Sequence, residues 1–436
     1  MSKPPKLPDS GRIAYAGPAL RAEAKAEIEA AGYDVAVVEE RKSELPFGTV
    51  MLVFGTGVRH PNLAALQRDA VAAGIPDLTD LAFLSHLGTK LRTSRKQRVL
   101  ITGSAGKSTT AALFRDMLNR SKLESRIVGA QSGYLNALGS RAAFLVLTAV
   151  PDQVRHAERI GFGAAAVLNL TEEKGHDPSA RTKSACAEAL TAAPFGVLGT
   201  DDVAAQSLLM TIRRMSGSSA REIVPVSGGS TLSGGYFVID RVLYGAKLGR
   251  TRRAASFAEG STLIGDHFGQ SAAAAAALAS HYGCNDEQIG GALSAYQGLP
   301  GRFDCVATKG RIVFVDDRAA RSVSSAAASI GACPDVFWIG HRAGSLPKRV
   351  KDSVRGSFYL RGEDGSGPPM DGVTSFDDAT KAAEMALASA EELLRREPDA
   401  APVLLFAPGA HGFDSAGEVF KRFASEAAKE GDRIRA

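Results

Sequence analysis

The stretch Val99–Leu113, VLITGSAGKSTTAAL, carries a short apolar strand into a glycine-rich turn that closes on Lys-Ser-Thr and opens a helix. Gly103, Ser104, Ala105, Gly106, Lys107, Ser108 and Thr109 have the make-up of a phosphate cradle. The glycines let backbone N–H groups close on anionic oxygens, Lys107 adds a positive charge, and the Ser108 hydroxyl can ligate Mg2+. The N-terminus of the helix that follows favours the same anion. A full Walker loop has a glycine six positions before its lysine; Ile101 stands there, so this is the shortened GxxGK[ST] form. Strand, loop and helix in this order predict a nucleotide-phosphate site, with a purely structural strand-to-helix turn as the plain alternative.

At 436 residues the chain exceeds one ordinary core, which predicts two or three domains. With 44% hydrophobic and 23% charged residues it is globular in composition, and its longest apolar runs, at 162–170 and 272–279, are too short to span a bilayer. No membrane span is expected. The opening MSKPPKLPDSG holds no apolar signal core, and Cys186, Cys284, Cys305 and Cys333 lack CxxC spacing, which together point to a reducing cytoplasm. The net charge of +5 is mild, and the basic clusters at 92–98 and 250–253 have no interleaved aromatics, so nucleic acid is not an expected partner. Both clusters read as a solvated linker or loop, although local positive potential would also suit an anionic sugar nucleotide.

Working outward from the loop, three segments alternate strand-like and helix-like patterns, which predicts an α/β chain of three domains. In the first, strands are expected at Arg12–Ala16, Val35–Val38 and Val50–Phe54, with a helix at Ala22–Ala31. The second begins at the phosphate loop and continues through strands at Phe144–Leu147, Ala164–Leu168 and Phe195–Leu198, spaced for a parallel sheet. Ser/Gly-rich turns around Tyr236–Ile239 and Val242–Tyr244 predict a small antiparallel addition. The third has strands at Ile312–Val315, Val336–Ile339, Ser357–Leu360 and Val403–Phe406 and a helix at Thr380–Arg396. The polar stretch 92–98 and Gly298-Leu299-Pro300-Gly301 read as hinges, giving domains over 1–95, 96–298 and 299–436.

Further landmarks lie in order along the chain: Thr56-Gly57-Val58 and HPNLAALQRDAVAAGIP (60–76), GSAGKSTT, LNLTEE (168–173), LIGDH (263–267), GLPGRFD (298–304), VDD (315–317) and APGAHGFD (407–414). Taken together, and over nearly the whole chain, they resemble the Mur ligases, most closely the D-glutamate-adding branch. The resemblance implies a Rossmann-like N-terminal domain for a UDP-sugar carrier, a P-loop ATPase central domain, and a Rossmann-like C-terminal domain for an amino acid. It implies ATP and Mg2+ as cofactors and a chain acting as a monomer. In such a ligase ATP phosphorylates a carboxylate, an amine attacks the acyl-phosphate, and phosphate leaves as the amide forms; catalysis is mainly positioning and charge neutralisation. By the same resemblance Lys107 holds the β and γ phosphates, Ser108 takes a Mg2+, and Arg302 and Asp317 close on the nucleotide. It also implies that His267 stands beside the adenine and that Lys183 is the lysine that is carbamoylated to help hold a second Mg2+; the plain alternatives are a structural turn histidine, a solvated helix lysine and, for Arg302, a surface hinge charge. For the carrier the matching positions are Gly17, Arg41, Gly57 and Gln131, with a surface charge as the plain alternative for Arg41. Where the family has an Asp-Ser-Lys-Ala-Thr-like element this chain has Asp317-Arg318-Ala319-Ala320-Arg321, and Arg318, Arg321 or Arg342 could instead grip the amino acid's carboxylate.

The chain also departs from the pattern. Thr148 stands where the family supplies a Mg2+-binding Glu, and Glu173-Lys174 where it has Asp-His, exchanging a metal ligand for a cation. Glu172, Glu173, His176 and Asp177 are the nearest replacements. Phe268 and Ser271 replace adenine-side asparagines, Ala343 replaces a lysine, and Gly412 replaces a serine. Two readings therefore stay open: an ATP-dependent amide ligase of peptidoglycan synthesis, and a divergent paralogue that binds nucleotide and acts as a binding or regulatory protein. An unrelated P-loop NTPase explains the loop but not the landmarks that follow it. Asp201 and Asp202, after a strand, read as loop caps.

Overall fold

The computed structural model describes residues 7–57, 60–157, 159–170, 179–216, 222–257, 266–296, 298–321, 323–341, 346–361, 375–410 and 412–433. Three sheets are built, one in each of the sequence intervals 1–95, 96–298 and 299–436. The first has β1 (Gly11–Ala16), β2 (Tyr33–Val37), β3 (Thr49–Phe54) and β4 (Asp77–Thr79) in the order β2-β1-β3-β4, all parallel. Helices α1 (Ala22–Ala30), α2 (Leu63–Ala72) and α3 (Asp80–His86) belong to the same interval.

The second sheet has nine strands: β5 (Arg98–Thr102), β6 (Ser125–Gly129), β7 (Phe144–Ala149), β8 (Ala164–Val167), β9 (Phe195–Gly199), β10 (Glu222–Ser227), β11 (Gly235–Ile239), β12 (Val242–Lys247) and β13 (Arg250–Ser256). Their order is β13-β12-β11-β10-β9-β8-β5-β7-β6; β12 pairs antiparallel with β11 and β13, and the remaining pairs are parallel. Helices α4 (Lys107–Arg120), α5 (Ala180–Ala192), α6 (Val203–Ser216), α7 (Asp266–His281) and α8 (Asp286–Ala295) accompany it. Every residue of β5 is buried, as expected of a central parallel strand covered on both faces. Along α7 the run from Ala272 to Ala279 is buried on all sides, and only small side chains let a helix sit so deep.

The third sheet comprises β14 (Asp304–Lys309), β15 (Ile312–Asp316), β16 (Asp335–His341), β17 (Val354–Leu360), β18 (Ser375–Phe376) and β19 (Pro402–Phe406), ordered β14-β15-β19-β16-β17-β18. With it are α9 (Val323–Gly331), α10 (Lys348–Lys351), α11 (Ala379–Arg396) and α12 (Asp414–Arg433). Its core joins Phe314, Leu404 and Phe406 of the sheet to Ala382, Ala386 and Ala390 of α11 and Phe420 of α12.

The first two sheets share one compact unit with a continuous core that runs from Ile13 and Met51 to Leu100 and Leu147; the third lies in a second unit. In the stretch 92–98, Arg92, Ser94, Arg95 and Lys96 are exposed, and Arg98 departs from the expectation of a solvated segment. Arg98 is buried at the start of β5, where its guanidinium donates to the carbonyls of Thr93 (2.9 Å), Ile160 (2.5 Å) and Leu91 (3.1 Å). Arg92 is ion-paired with Glu27 of α1. A Cβ on Gly163 would stand 2.1 Å from the Lys96 carbonyl, so the backbones are in direct contact. The cluster at 250–253 is exposed but is no loop: it is edge strand β13, paired with β12.

Asp80, fully buried at the start of α3, ties the two sheets of this unit together. It accepts from its neighbour's Leu81 N–H (3.0 Å) and from the Tyr134 N–H across the join (3.0 Å). Burial outweighs these bonds and pushes its carboxyl up to about 6. Between about pH 4 and about pH 6 the folded chain therefore holds a proton that the unfolded chain, with an ordinary carboxyl near 4, has released. Stability from this group is greatest at the acid end and falls as pH rises from about 4 through about 6. Asp80→Asn is expected to gain on the wild type by on the order of 2 kcal/mol between acid and neutral pH. Urea midpoints of both proteins across that range check this, and a difference that does not vary with pH contradicts it.

Candidate functional site

The phosphate loop lies between the end of β5 and α4. Gly103 has φ +147° and Gly106 +80°, values in the region where a side chain strains the backbone. The positions are also crowded: a Cβ on Gly103 would stand 3.0 Å from Leu168 Cβ and 3.1 Å from Asn169 N, and one on Gly106 2.8 Å from Ser271 Oγ. Gly106 is the N-cap of α4 and has no side chain to close it, so the first-turn N–H groups of Lys107, Ser108 and Thr109 form the anion-binding end of the helix. Lys107 Nζ folds over the loop and donates to the carbonyls of Gly103 (2.8 Å) and Ser104 (3.2 Å), which holds its charge above the cradle.

Asn169, at the end of the strand segment that continues β8, fixes the loop. Its Oδ1 accepts from Ser104 Oγ (2.7 Å) and Ala105 N (2.9 Å), and its carbonyl accepts from Ser104 N (3.1 Å). The residue sits inside the LNLTEE landmark but was not among the expected site residues; its signal is an amide at a strand end beside a glycine-rich loop. Ser271 is buried at the loop, and Phe268, also buried, packs edge-on against Phe303 at 5.8 Å. His267 is the second residue of α7, and its side chain lies outside the described residues.

Asp201 and Asp202 are caps. Asp202 accepts from Ala205 N (2.6 Å) at the start of α6 and from Leu170 N (2.8 Å), while Asp201 accepts from Ser227 Oγ, Gly228 N and Gln270 Nε2 at 2.5 to 2.9 Å. Thr148, on β7, turns its hydroxyl to the Val128 carbonyl at 3.4 Å and its own carbonyl accepts from Tyr134 Oη at 2.8 Å. Lys183 is half-buried on α5 beside Thr182, whose hydroxyl donates to Asp152 at 2.5 Å. Among the described residues no three His, Cys, Asp or Glu side chains come together as a metal site. Glu172, Glu173, Lys174, His176, Asp177, Arg342, Ala343 and His411 lie outside them. A hard divalent cation that keeps water and phosphate oxygens needs little from the protein, and the Ser108 hydroxyl at the mouth of α4 fits that requirement.

Gly17, Gly57 and Gln131 come from three loops that the first unit brings together. A Cβ on Gly17 would stand 2.7 Å from Tyr15 Oη and 3.0 Å from Gly55 N; one on Gly57 would stand 2.3 Å from the Ala130 carbonyl carbon. Gly133, with φ +75°, approaches Pro18, and Gln131 between them is exposed. Tyr15 Oη and Thr56 Oγ1 are buried in the same region without a hydrogen-bond partner among the described residues. The HPN motif acts locally. His60 Nε2 donates to Glu39 O (2.9 Å) and Asn62 Nδ2 to Glu40 O (3.1 Å) and Lys42 O (3.2 Å), which holds the loop on which Arg41 stands exposed.

In the second unit, Asp317 is buried and accepts from Phe303 N (3.1 Å) and Ser329 Oγ (2.5 Å). Burial raises its carboxyl to about 7, against the pull of those bonds and of Arg302. Phe303 has φ +50°, a conformation that a bulky residue keeps only when held. Burial depresses the Arg302 guanidinium, and Asp317 opposes that shift. Arg318 is committed within the unit: it donates to Asp316 (Nε, 2.8 Å) and Glu418 (2.5 Å). Arg321 reaches both oxygens of Asp414 at 3.3 Å. Either arginine would have to exchange these partners to grip a substrate carboxylate.

No protein-family model matches the chain. It is similar to the UDP-N-acetylmuramoylalanine–D-glutamate ligase of Phenylobacterium zucineum, 30% identical over 341 residues that span 76% of this chain and 70% of that one. It is similar also to the enzyme of the same name from Mesorhizobium japonicum, 26% identical over 419 residues, 91% and 88% of the two chains. Its fold is that of a MurF ligase from Thermotoga maritima solved in complex with ADP, with a TM-score of 0.55 at 16% identity over 87% of this chain and 90% of the other.

Proposed function

The chain belongs to the Mur ligase family, ATP-dependent amide ligases of peptidoglycan synthesis, and from that premise we propose that it joins an amino acid to a UDP-N-acetylmuramoyl-alanine-like carboxylate through an acyl-phosphate. The observation that carries the proposal is the phosphate loop: two glycines that admit no side chain, a lysine held over the cradle, and an asparagine that fixes the turn. The Thermotoga neighbour's ADP is consistent with a nucleotide at this fold's loop.

In the proposed mechanism the N-terminus of α4 and Lys107 bind the nucleotide's phosphates and neutralise the charge that builds on the transferred group. Ser108 is the residue that would hold Mg2+, and the ion would supply further charge neutralisation there. Asn169 acts as a positioning residue that keeps the loop open. The carrier lies against Gly17, Gly57 and Gln131, where close backbone approach suits a diphosphate and an amide can read a polar edge. The attacking amine forms a C–N bond as the acyl C–O bond breaks, phosphate leaves with that oxygen, and the amine's proton passes to solvent. The chain works as a cytoplasmic monomer. The ligase names carried by the relatives favour catalysis over a purely binding role.

The test is phosphate release from ATP with UDP-muramoyl-alanine and a panel of amino acids. Release that requires both the carrier and one class of amino acid, with the amide found by mass spectrometry, is expected. ATP binding with no product from any amino acid would instead establish the paralogue that binds without catalysis.

A further inference from the structure

The two tight turns at the antiparallel edge of the nine-stranded sheet differ in chemistry. Between β11 and β12 the turn residues are Asp240 and Arg241, with φ +48° and +61°; between β12 and β13 they are Leu248 and Gly249, with φ +51° and +75°. A two-residue type I′ turn demands positive φ at both positions, which Gly, Asn and Asp accommodate and a leucine does not. Leu248 is 92% exposed, so no packing offsets the strain. Lys247 and Arg250 stand directly opposite each other in the register, where like charges oppose pairing. Neither choice serves the hairpin's own stability.

What the two choices make is an apolar tip flanked by cations. Lys247 and Arg250 are exposed on either side of the Leu248 turn, while Arg252 is taken up by Asp286 of α8 and Arg253, opposite Tyr244, donates to Ser256 Oγ. The tip projects beyond Gly235, the first residue of β11, at the end of the sheet from which the parallel strands start. The phosphate loop follows the last residue of β5, at the other end. Contact at the tip therefore leaves the nucleotide loop open.

We propose that the Leu248 turn docks on an anionic lipid surface, with the leucine entering the headgroup region and Lys247 and Arg250 meeting acidic headgroups. The leucine selects lipid over nucleic acid: residues 247–253 hold no aromatic side chain on which a base could stack. The attachment is weak and reversible, since one leucine and two cations are far from a permanent anchor.

Cosedimentation of the full chain with vesicles tests this, using phosphatidylcholine alone and phosphatidylcholine mixed with phosphatidylglycerol. Binding is expected only with phosphatidylglycerol and at low salt. Replacing Lys247 and Arg250 together by serine weakens it about 25-fold, about fivefold per cation. Leu248→Asn weakens it about tenfold or more, from the lost apolar burial, yet melts no lower than the wild type because Asn suits positive φ. Equal binding to neutral vesicles, no binding at low salt, or full binding by Leu248→Asn would overturn the proposal. So would a single-stranded oligonucleotide that binds through Lys247 and Arg250 while Leu248→Asn has no effect on either ligand.

Discussion

Lys107→Ala is expected to lower ATP-dependent product formation by about 10³-fold. A cation placed on a transferring phosphoryl group contributes on that scale, because its charge is already in position when negative charge builds on the oxygens. Lys107 is placed in this way by its bonds to the Gly103 and Ser104 carbonyls, 2.8 and 3.2 Å long. The substitution removes no buried side chain, so stability should change by no more than about 1 kcal/mol. Nucleotide affinity should fall far less than turnover, since the N–H groups at the start of α4 remain. Steady-state kinetics beside nucleotide titration separate the two effects. Turnover within tenfold of wild type would mean that the loop does not hold the reacting phosphate.

Arg98→Met is expected to produce the largest loss of stability, about 3 to 5 kcal/mol. The guanidinium is buried and serves three carbonyls, those of Leu91, Thr93 and Ile160. Met fills much of the space but donates nothing, so three acceptors lose their partners away from water, each at roughly 1 to 3 kcal/mol with partial relaxation. The same bonds hold the segment before β5 against the loop before β8, so the phosphate loop's supporting strand is affected with it. Arg98→Lys should lie between, since a single ammonium cannot reach three carbonyls in the same fork. The urea transition of the unit containing the first two sheets reports the effect. A loss below about 1 kcal/mol would show that water replaces the guanidinium freely.

Much of the fold was legible because its strands are short apolar runs and its decisive turn is rich in glycine. The expected strand at Val50–Phe54 is β3, that at Phe144–Leu147 lies within β7, and the helix at Thr380–Arg396 is α11. The missed strands have mixed faces. Ser125–Gly129 and Asp304–Lys309 carry polar and half-buried residues, and Arg250–Ser256 hides a strand behind four exposed residues at a sheet edge. Arg98 misled for a physical reason: an arginine in a run of basic residues looks solvated until three backbone carbonyls from two segments, 91–93 and Ile160, converge on it. Within the site, the loop was readable because its geometry needs particular residue types. Asn169 and Asp80 act through partners 64 and 54 residues away, at Ala105 and Tyr134, and no local pattern announces such pairings.

The central claim is that ATP activates a carboxylate of the carrier. The most direct test supplies UDP-muramoyl-alanine whose carboxylate oxygens are labelled with oxygen-18, together with ATP and the accepted amino acid, and measures the isotope in the released phosphate. An acyl-phosphate transfers one labelled oxygen to each phosphate formed with an amide. Phosphate that carries no label while ATP is consumed would contradict the account.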